Sequence, residues 1–478
     1  MPTGNIDAVI AQAKIDRKRL DSAAFGPFSL TTLGVASVVG AGIFVTTGDA
    51  AAEYAGPGVI FSFLLAGVAA AVTALCYAEL AAMVPAAGST YSYAYAVFGS
   101  FLAWFIGWDL LLEYLFAAST VAVGWSGYFV SLMNSAGIHI PDALANPPFG
   151  DDPGVINLPA VAIVLFTCGL LYLGTKESAK ATNWIVSLKI GVLLLVIGFG
   201  AFAIHTSNWD PFVPANEGAF GEYGLSGILR ASGIVFFSYV GFDAVSTAAA
   251  EARNPQRTIP IGLIATVAIS TVLYVAIGLV ITGMVPYESL NVADPLALAV
   301  RDSSLSLEWL ETLVSLAAVI GLAATVMVTF YGQTRIFMRM ASDAMLPDSI
   351  GKVGRFQTPD MATLICAVAG SIVAGILPID ILGDLVSIGT LLSFTIVCAG
   401  VLVLRSKRPD LERPFRVPAV KFTAGFGIFA AVALMATLPI TTWIRLAVWL
   451  AIGLVIYFGY AKARTGERMA RLAATETA

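Results

Sequence analysis

Three ionisable residues sit where an ionisable residue is expensive. Lys189 lies in the apolar run Trp184-Ile185-Val186-Ser187-Leu188-Lys189-Ile190-Gly191. Asp109 and Glu113 stand four residues apart in another, so they share a helix face. A lysine at bilayer depth costs at least ~2.5 kcal/mol on insertion scales and by default marks function. Loss of water works against its ammonium form, so a proton can come and go. The alternative is a stem that reaches back to the interface and keeps the amine wet. A carboxylate at the depth of Glu113 needs a cationic partner or donors from a neighbouring helix. These groups suit the movement of protons or cations rather than bond cleavage. His139 and His205 are isolated, and no HExxH or Ser/His constellation accompanies them. Cys76, Cys168, Cys366 and Cys398 all fall in apolar segments and read as small core residues, not as a disulfide framework or a metal cluster.

A second kind of chemistry is carried by backbone. The run from Leu33 to Phe44 contains Gly40-Ala41-Gly42, and a later one reads Phe236-Phe237-Ser238-Tyr239-Val240-Gly241-Phe242-Asp243. Glycine inside a helix costs about 1 kcal/mol relative to alanine. In lipid, every backbone group it frees must also find a partner. Unwound backbone at that depth is tolerated only where it lines a cavity or holds a ligand. A matched pair of such interruptions, one in each half of a chain, points to a solute-binding site. Small residues also allow close helix contact, but Gly40 and Gly42 are spaced more tightly than that motif and leave the second interruption unexplained.

The elements that position these residues are membrane spans. Of 478 residues, 58% are hydrophobic and 12% charged, against about 25% charged in a soluble domain. The partner this composition calls for is a lipid bilayer, with no sign of nucleic-acid binding. Runs of ~20 apolar residues predict twelve spans, at roughly 28–51, 57–84, 97–132, 155–174, 183–205, 228–250, 260–284, 309–333, 360–378, 382–404, 418–437 and 441–461. Met1–Asp21 is polar and the first apolar stretch is already a full span, so no cleavable signal peptide is expected. All lysines and arginines fall in loops or tails on the side of the N-terminus except Lys189, Arg230, Arg301 and Arg445. Arg230, Arg301 and Arg445 are assigned to the opposite loops. By the positive-inside rule both termini are cytoplasmic. The formal net charge of −5 adds little.

The interruptions fall in spans 1 and 6. If spans 1–5 and 6–10 are repeats, an odd number of spans makes the second enter the membrane from the opposite side. The expected organisation is all-α and integral to the membrane. It has a cytoplasmic segment 1–27, a first inverted repeat 28–205 and a second 206–404. A basic connector with spans 11 and 12 covers 405–461, and a tail 462–478 follows.

Several motifs in order carry a resemblance. Gly40-Ala41-Gly42-Ile43-Phe44, Cys76-Tyr77-Ala78-Glu79-Leu80 with Val84-Pro85 and Gly88-Ser89, and Phe236–Asp243 with Glu251 and Asn254-Pro255 resemble the amino acid–polyamine–organocation superfamily. Phe242–Thr247, Gly332-Gln333-Thr334-Arg335 and Arg413-Pro414-Phe415 are similar to its cationic amino acid transporter group, bacterial branch. The resemblance runs from about Phe25 to Lys462. It implies a five-plus-five inverted-repeat transporter with discontinuous helices 1 and 6, alternating access and a free L-amino acid as substrate, such as arginine, lysine, ornithine or an alanine-like one.

On that footing the substrate carboxylate is expected at the N–H groups of Gly40, Ala41 and Gly42, next to Ile43, where a helix dipole also favours an anion. The ammonium is expected at carbonyls near Phe237, Ser238 and Val240. The resemblance further implies Phe237 as a gate over the substrate, Met327 as a flexible apolar wall, and Glu113 in contact with a cationic substrate. Lys189 matches a lysine that stands where sodium-coupled members bind their ion and braces span 1 against span 8. The coupling ion is then the proton, and no other cofactor or metal is expected. Glu79 is expected to bond inner-gate backbone, and Asp243 and Glu251 to do similar gating work with loop arginines. Asp109 reads as structural. The expected setting is the bacterial inner membrane. A channel would carry charged rings or a carbonyl filter, an enzyme a catalytic constellation and a primary pump a nucleotide-binding loop, and none of these is present. Exchange without proton coupling is the competing mode. Neither an accessory subunit nor the exact substrate is legible.

Overall fold

The computed structural model describes residues 26–83, 89–150, 152–174, 179–247, 252, 254–304, 307–356 and 358–465. Val84-Pro85, Gly88, Glu251 and most of the basic N-terminal segment lie outside the described residues. The architecture is helical, with no strand among the described residues. Short turns aside, the helices are α1 (Pro27–Val38), α2 (Ala41–Phe44), α3 (Val59–Met83), α4 (Ser89–Phe98), α5 (Ser100–Ser135), α6 (Leu158–Tyr172), α7 (Ala179–Gly200) and α8 (Gly224–Val235). There follow α9 (Ala244–Thr247), α10 (Pro255–Met284), α11 (Pro295–Arg301), α12 (Glu308–Ser342), α13 (Asp360–Ile376), α14 (Ile379–Lys407), α15 (Val420–Thr437) and α16 (Ile440–Ile456).

Nine helical runs among the described residues are long and apolar enough to cross a membrane, and α1, α6 and α13 are shorter apolar helices. They are apolar on nearly every side, which is what a helix needs when one face meets lipid and the other meets protein. Exposed apolar side chains such as Phe429, Ile440 and Val455 mark the outer surface. Inside, α5 lies along α12, α10 lies against α3 and α1, and α14 packs on α5 and α15. The last helix is fastened to α5 by indoles. Trp108 and Trp449 stack with ring centroids 4.7 Å apart, and each ring N–H donates to the other residue's carbonyl, at 2.8 and 3.0 Å.

Three expectations need correction. The third span starts at Ser100, not at 97, because Gly99 takes φ +86 and separates α4 as a helix of its own. The eighth continues to Ser342, so Arg335 and Arg339 ride on its last turns instead of in a loop. Arg230 is no loop residue either. It sits inside α8, 9% exposed, facing Asp384 at 3.4 Å. Arg445, assigned to the same loops, likewise lies inside α16; a paired arginine such as Arg230 can be carried within a helix.

Candidate functional site

Both interruptions are real, and they meet. After α1 the backbone is extended at Val39 (φ −75, ψ 90) and Gly40 (φ −141, ψ −145), and the helix resumes at Ala41. After α8 the chain tightens into a 3-10 turn, Phe236–Tyr239, then runs extended through Val240. Gly241 has φ +103, a conformation that a side chain would strain, and helix returns at Ala244. A Cβ on Gly42 would stand 2.4 Å from both Cα and Oγ of Ser238, so the two unwound stretches touch at that glycine. A Cβ on Gly241 would lie 3.1 Å from the carbonyl oxygen of Ser37. Gly40 is different, because its nearest neighbour would be Thr325 Cγ2 at 3.4 Å, an ordinary contact.

Tyr274 on α10 ties the interruptions together. Its hydroxyl lies 3.0 Å from the carbonyl oxygen of Val38 and 2.7 Å from that of Ser238, and its one proton is shared between them. Its ring packs against Phe63 and Tyr239 at 5.3 and 5.4 Å between centroids. Of the carbonyls expected to receive an ammonium, that of Phe237 accepts from Val240 N–H at 3.0 Å and that of Ser238 from Tyr274. Ser238 Oγ, in a residue 1% exposed, has no hydrogen-bond partner among the described residues. A buried hydroxyl left so costs about 1–3 kcal/mol, which is reasonable at a place where a polar ligand is to be received. Phe237 is buried in the same turn.

Lys189 points inward, not to the interface. Its Nζ donates to the carbonyl of Val39 at 2.9 Å and to Thr325 Oγ1 at 2.8 Å, and it is 3% exposed. Its stem lies on Gly321, where a Cβ would come within 2.8 Å of Cγ and Cε. One ammonium thus joins α7, the first interruption and α12. Thr325 passes the contact on by donating to the carbonyl of Gly321 at 3.0 Å. Met327 is half-buried two residues further along α12, about 200° around the helix axis from Thr325, so the two face different neighbours.

Glu113 is buried on α5, and its Oε2 has no hydrogen-bond partner among the described residues. The carboxylates of Asp243 and Asp109 lie within electrostatic reach, and Thr390 is beside it. Asp109 takes a structural position, accepting from Ser393 on α14 at 2.9 Å. Asp243 is buried, 5% exposed, just past the second interruption. Glu79 is not part of this constellation. It sits at the far end of α3, 1% exposed, and binds the last turn of α14 together with the connector that follows. Its oxygens accept from Arg405 Nε at 2.9 Å, Arg405 Nη2 at 2.5 Å and the Val417 backbone N–H at 2.7 Å. Arg413 Nε stands 3.5 Å away.

Tyr274, Thr325 and the Arg230–Asp384 pair were not singled out from sequence. A tyrosine or threonine in an apolar run carries no periodic signal. Asp384 was legible only as one more acid near the start of a span.

Comparison with known proteins identifies the family. The family model described as amino acid permease matches residues 25–458. The chain belongs to the amino acid permease family, within the amino acid–polyamine–organocation superfamily. This permease is 41% identical over 436 residues to the methylthioribose transporter of Bacillus subtilis, covering 91% of this chain and 92% of that one. It is 42% identical over 442 residues to the branched-chain amino acid permease BcaP of the same organism, with the same coverage. The vacuolar cationic amino acid transporter 4 of Arabidopsis thaliana is 36% identical over 382 residues, which span 80% of this chain and 63% of the plant protein. The permease is therefore a multi-pass membrane protein of a transporter family.

Proposed function

We propose that this permease is a secondary active transporter of L-amino acids that works by alternating access in a bacterial inner membrane. In this reading it has twelve spans, both termini cytoplasmic, and inverted repeats at 28–205 and 206–404, with a proton as the coupling ion. The nine long apolar runs together with α1, α6 and α13 support the count of spans. The observation that carries the reading is the junction of Gly42 and Ser238, where two unwound stretches bring N–H groups, carbonyls and an orphan hydroxyl to one buried place. N–H groups at the start of a helical run suit a carboxylate, and free carbonyl lone pairs suit an ammonium. A molecule that carries both on one carbon fits.

Family membership supports amino acids as the class, and the names of the relatives widen the side chain to branched-chain as well as cationic types. Methylthioribose has neither an α-ammonium nor an α-carboxylate, so it is the informative competitor. Lys189 supports proton coupling because its ammonium holds both the first interruption and α12. Loss of its proton would remove the positive charge that strengthens both contacts and bias the same two-state equilibrium that substrate biases.

The test is uptake into proteoliposomes across external pH, with and without sodium, for lysine, leucine, alanine, methylthioribose and the decarboxylated amine of lysine. Gradient-driven, sodium-independent uptake of amino acids over the amine is expected. Lys189→Ala should abolish accumulation while substrate binding persists. Uptake of methylthioribose in place of amino acids would overturn the substrate class. A sodium requirement, or a mutant with wild-type pH dependence, would overturn coupling through Lys189, and uptake that needs amino acid loaded inside the vesicles would make exchange the better reading.

A further inference from the structure

A cavity of about 460 Å³ lies outward of the two interruptions, lined by Glu53, Tyr54, Glu217, Glu222, Tyr223 and Arg230 among others. Its volume is that of a small-molecule site. Its walls are the outer arms of the very segments that are interrupted. Glu53 and Tyr54 belong to the helical run that follows α2, and Arg230 to α8, six residues before the turn at Phe236. At ~1.5 Å per residue, Arg230 stands about 9 Å from that turn. The floor and the rim carry different charges. Arg230 is nine-tenths buried and already faces Asp384, with Thr437 O at 3.2 Å and the Tyr54 ring 5.5 Å below its guanidinium. Asp384 is in turn fixed by Thr442 at 3.0 Å.

The three glutamates have no cation of their own at comparable range among the described residues. Glu53 is held by Asn291 at 2.8 Å and Glu222 by the Ala219 N–H at 3.1 Å. Burial first, then the Glu217, Glu288 and Glu53 carboxylates, push the Tyr223 phenol upward. With the one guanidinium neutralised by its own carboxylate, the cavity is left with the charge of its glutamates and three aromatic rings, Tyr54, Phe220 and Tyr223.

We propose that this outer cavity is a second, low-affinity site that captures the cationic head of an incoming amino acid before it reaches the interruptions, with Glu53, Glu217 and Glu222 as its counter-charges. The proposal rests on the transport reading. A cleft lined by one sign of charge concentrates ligands of the other sign and raises capture rates by ten- to a thousand-fold. That gain fades with salt, because the screening length is ~10 Å at 0.1 M.

The kinetic test compares wild type with the Glu217→Gln/Glu222→Gln variant in proteoliposomes at low and high salt. At low salt and sub-saturating substrate, lysine uptake should fall about tenfold, with a much smaller fall for leucine and a loss of salt sensitivity. Equal losses for lysine and leucine, or lysine rates that match wild type, would overturn the proposal. Binding separates this outcome from failure of the transport reading. Gly42→Val fills the inner junction, and lysine binding to that full-length variant in detergent is read by saturation-transfer NMR. Weak binding that persists in Gly42→Val and disappears when the two glutamates are also replaced supports the outer site even if uptake is absent. No lysine binding in a Gly42→Val protein that elutes and melts as a folded species overturns it.

Discussion

Gly40 lies in the first unwound stretch and Gly42 in the short helix that resumes just after it, and substitution should affect the two very differently. At Gly42 an alanine Cβ falls 2.4 Å from Ser238 Cα, whereas carbon atoms rest at ~3.5–4.0 Å. The shortfall is more than ~1 Å, and the obstructing atom is backbone, so no rotamer relieves it. The two interruptions must separate. Overpacking of this kind costs about 1–3 kcal/mol, and because backbone must move the upper half of that range is expected. At 1.4 kcal/mol per decade, Gly42→Ala shifts the balance against the closed junction by about thirty- to a hundred-and-fifty-fold. At Gly40 the first atom met is Thr325 Cγ2 at 3.4 Å, the tip of a side chain at ordinary distance. Gly40→Ala should stay within ~1 kcal/mol of wild type. The assay is thermal unfolding in detergent together with the initial rate of amino acid uptake, for both variants side by side. Gly42→Ala is expected to lose most uptake and Gly40→Ala little. A Gly42→Ala protein with wild-type rate and melting, or a Gly40→Ala protein equally impaired, would refute the contact between the interruptions.

Other outcomes follow from the same geometry. Tyr274→Phe removes the one hydroxyl that serves the Val38 and Ser238 carbonyls, costing about 1–3 kcal/mol. Its melting point and uptake rate should both fall, and if neither moves the bridge is incidental. Glu113→Gln should weaken uptake of lysine or arginine more than that of alanine, since only the cation loses a charge partner, and equal losses would mean a structural role. Glu79→Gln leaves Arg413, side chain 5% exposed, and the half-exposed Arg405 without their carboxylate, a loss of about 3 kcal/mol. It should lower melting and maximal rate with KM unaltered, because Glu79 holds the connector. A raised KM alone would put Glu79 on the substrate.

Composition alone determined that this is a membrane protein, because no soluble fold can solvate so few charges over so much apolar chain. Glycine-interrupted apolar runs located the two unwound stretches, since helix interruption in lipid is costly enough to leave a mark on sequence. Lys189 and Glu113 were visible for the same reason: charge in an apolar run is a signal in itself. What sequence could not supply was which groups meet. Gly40 and Gly42 looked equivalent until the fold set Ser238 against one and Thr325 beside the other. Glu79 read as a gate residue, and which groups it meets was hidden: Arg405, on the last turn of α14, and Val417, in the connector beyond it, lie more than three hundred residues away in sequence. Arg230 looked like a loop residue until Asp384 was brought opposite it. Local backbone and hydration costs are written residue by residue, and so can be read from one segment. Contacts between segments depend on helix rotation and register, which packing of the whole bundle decides.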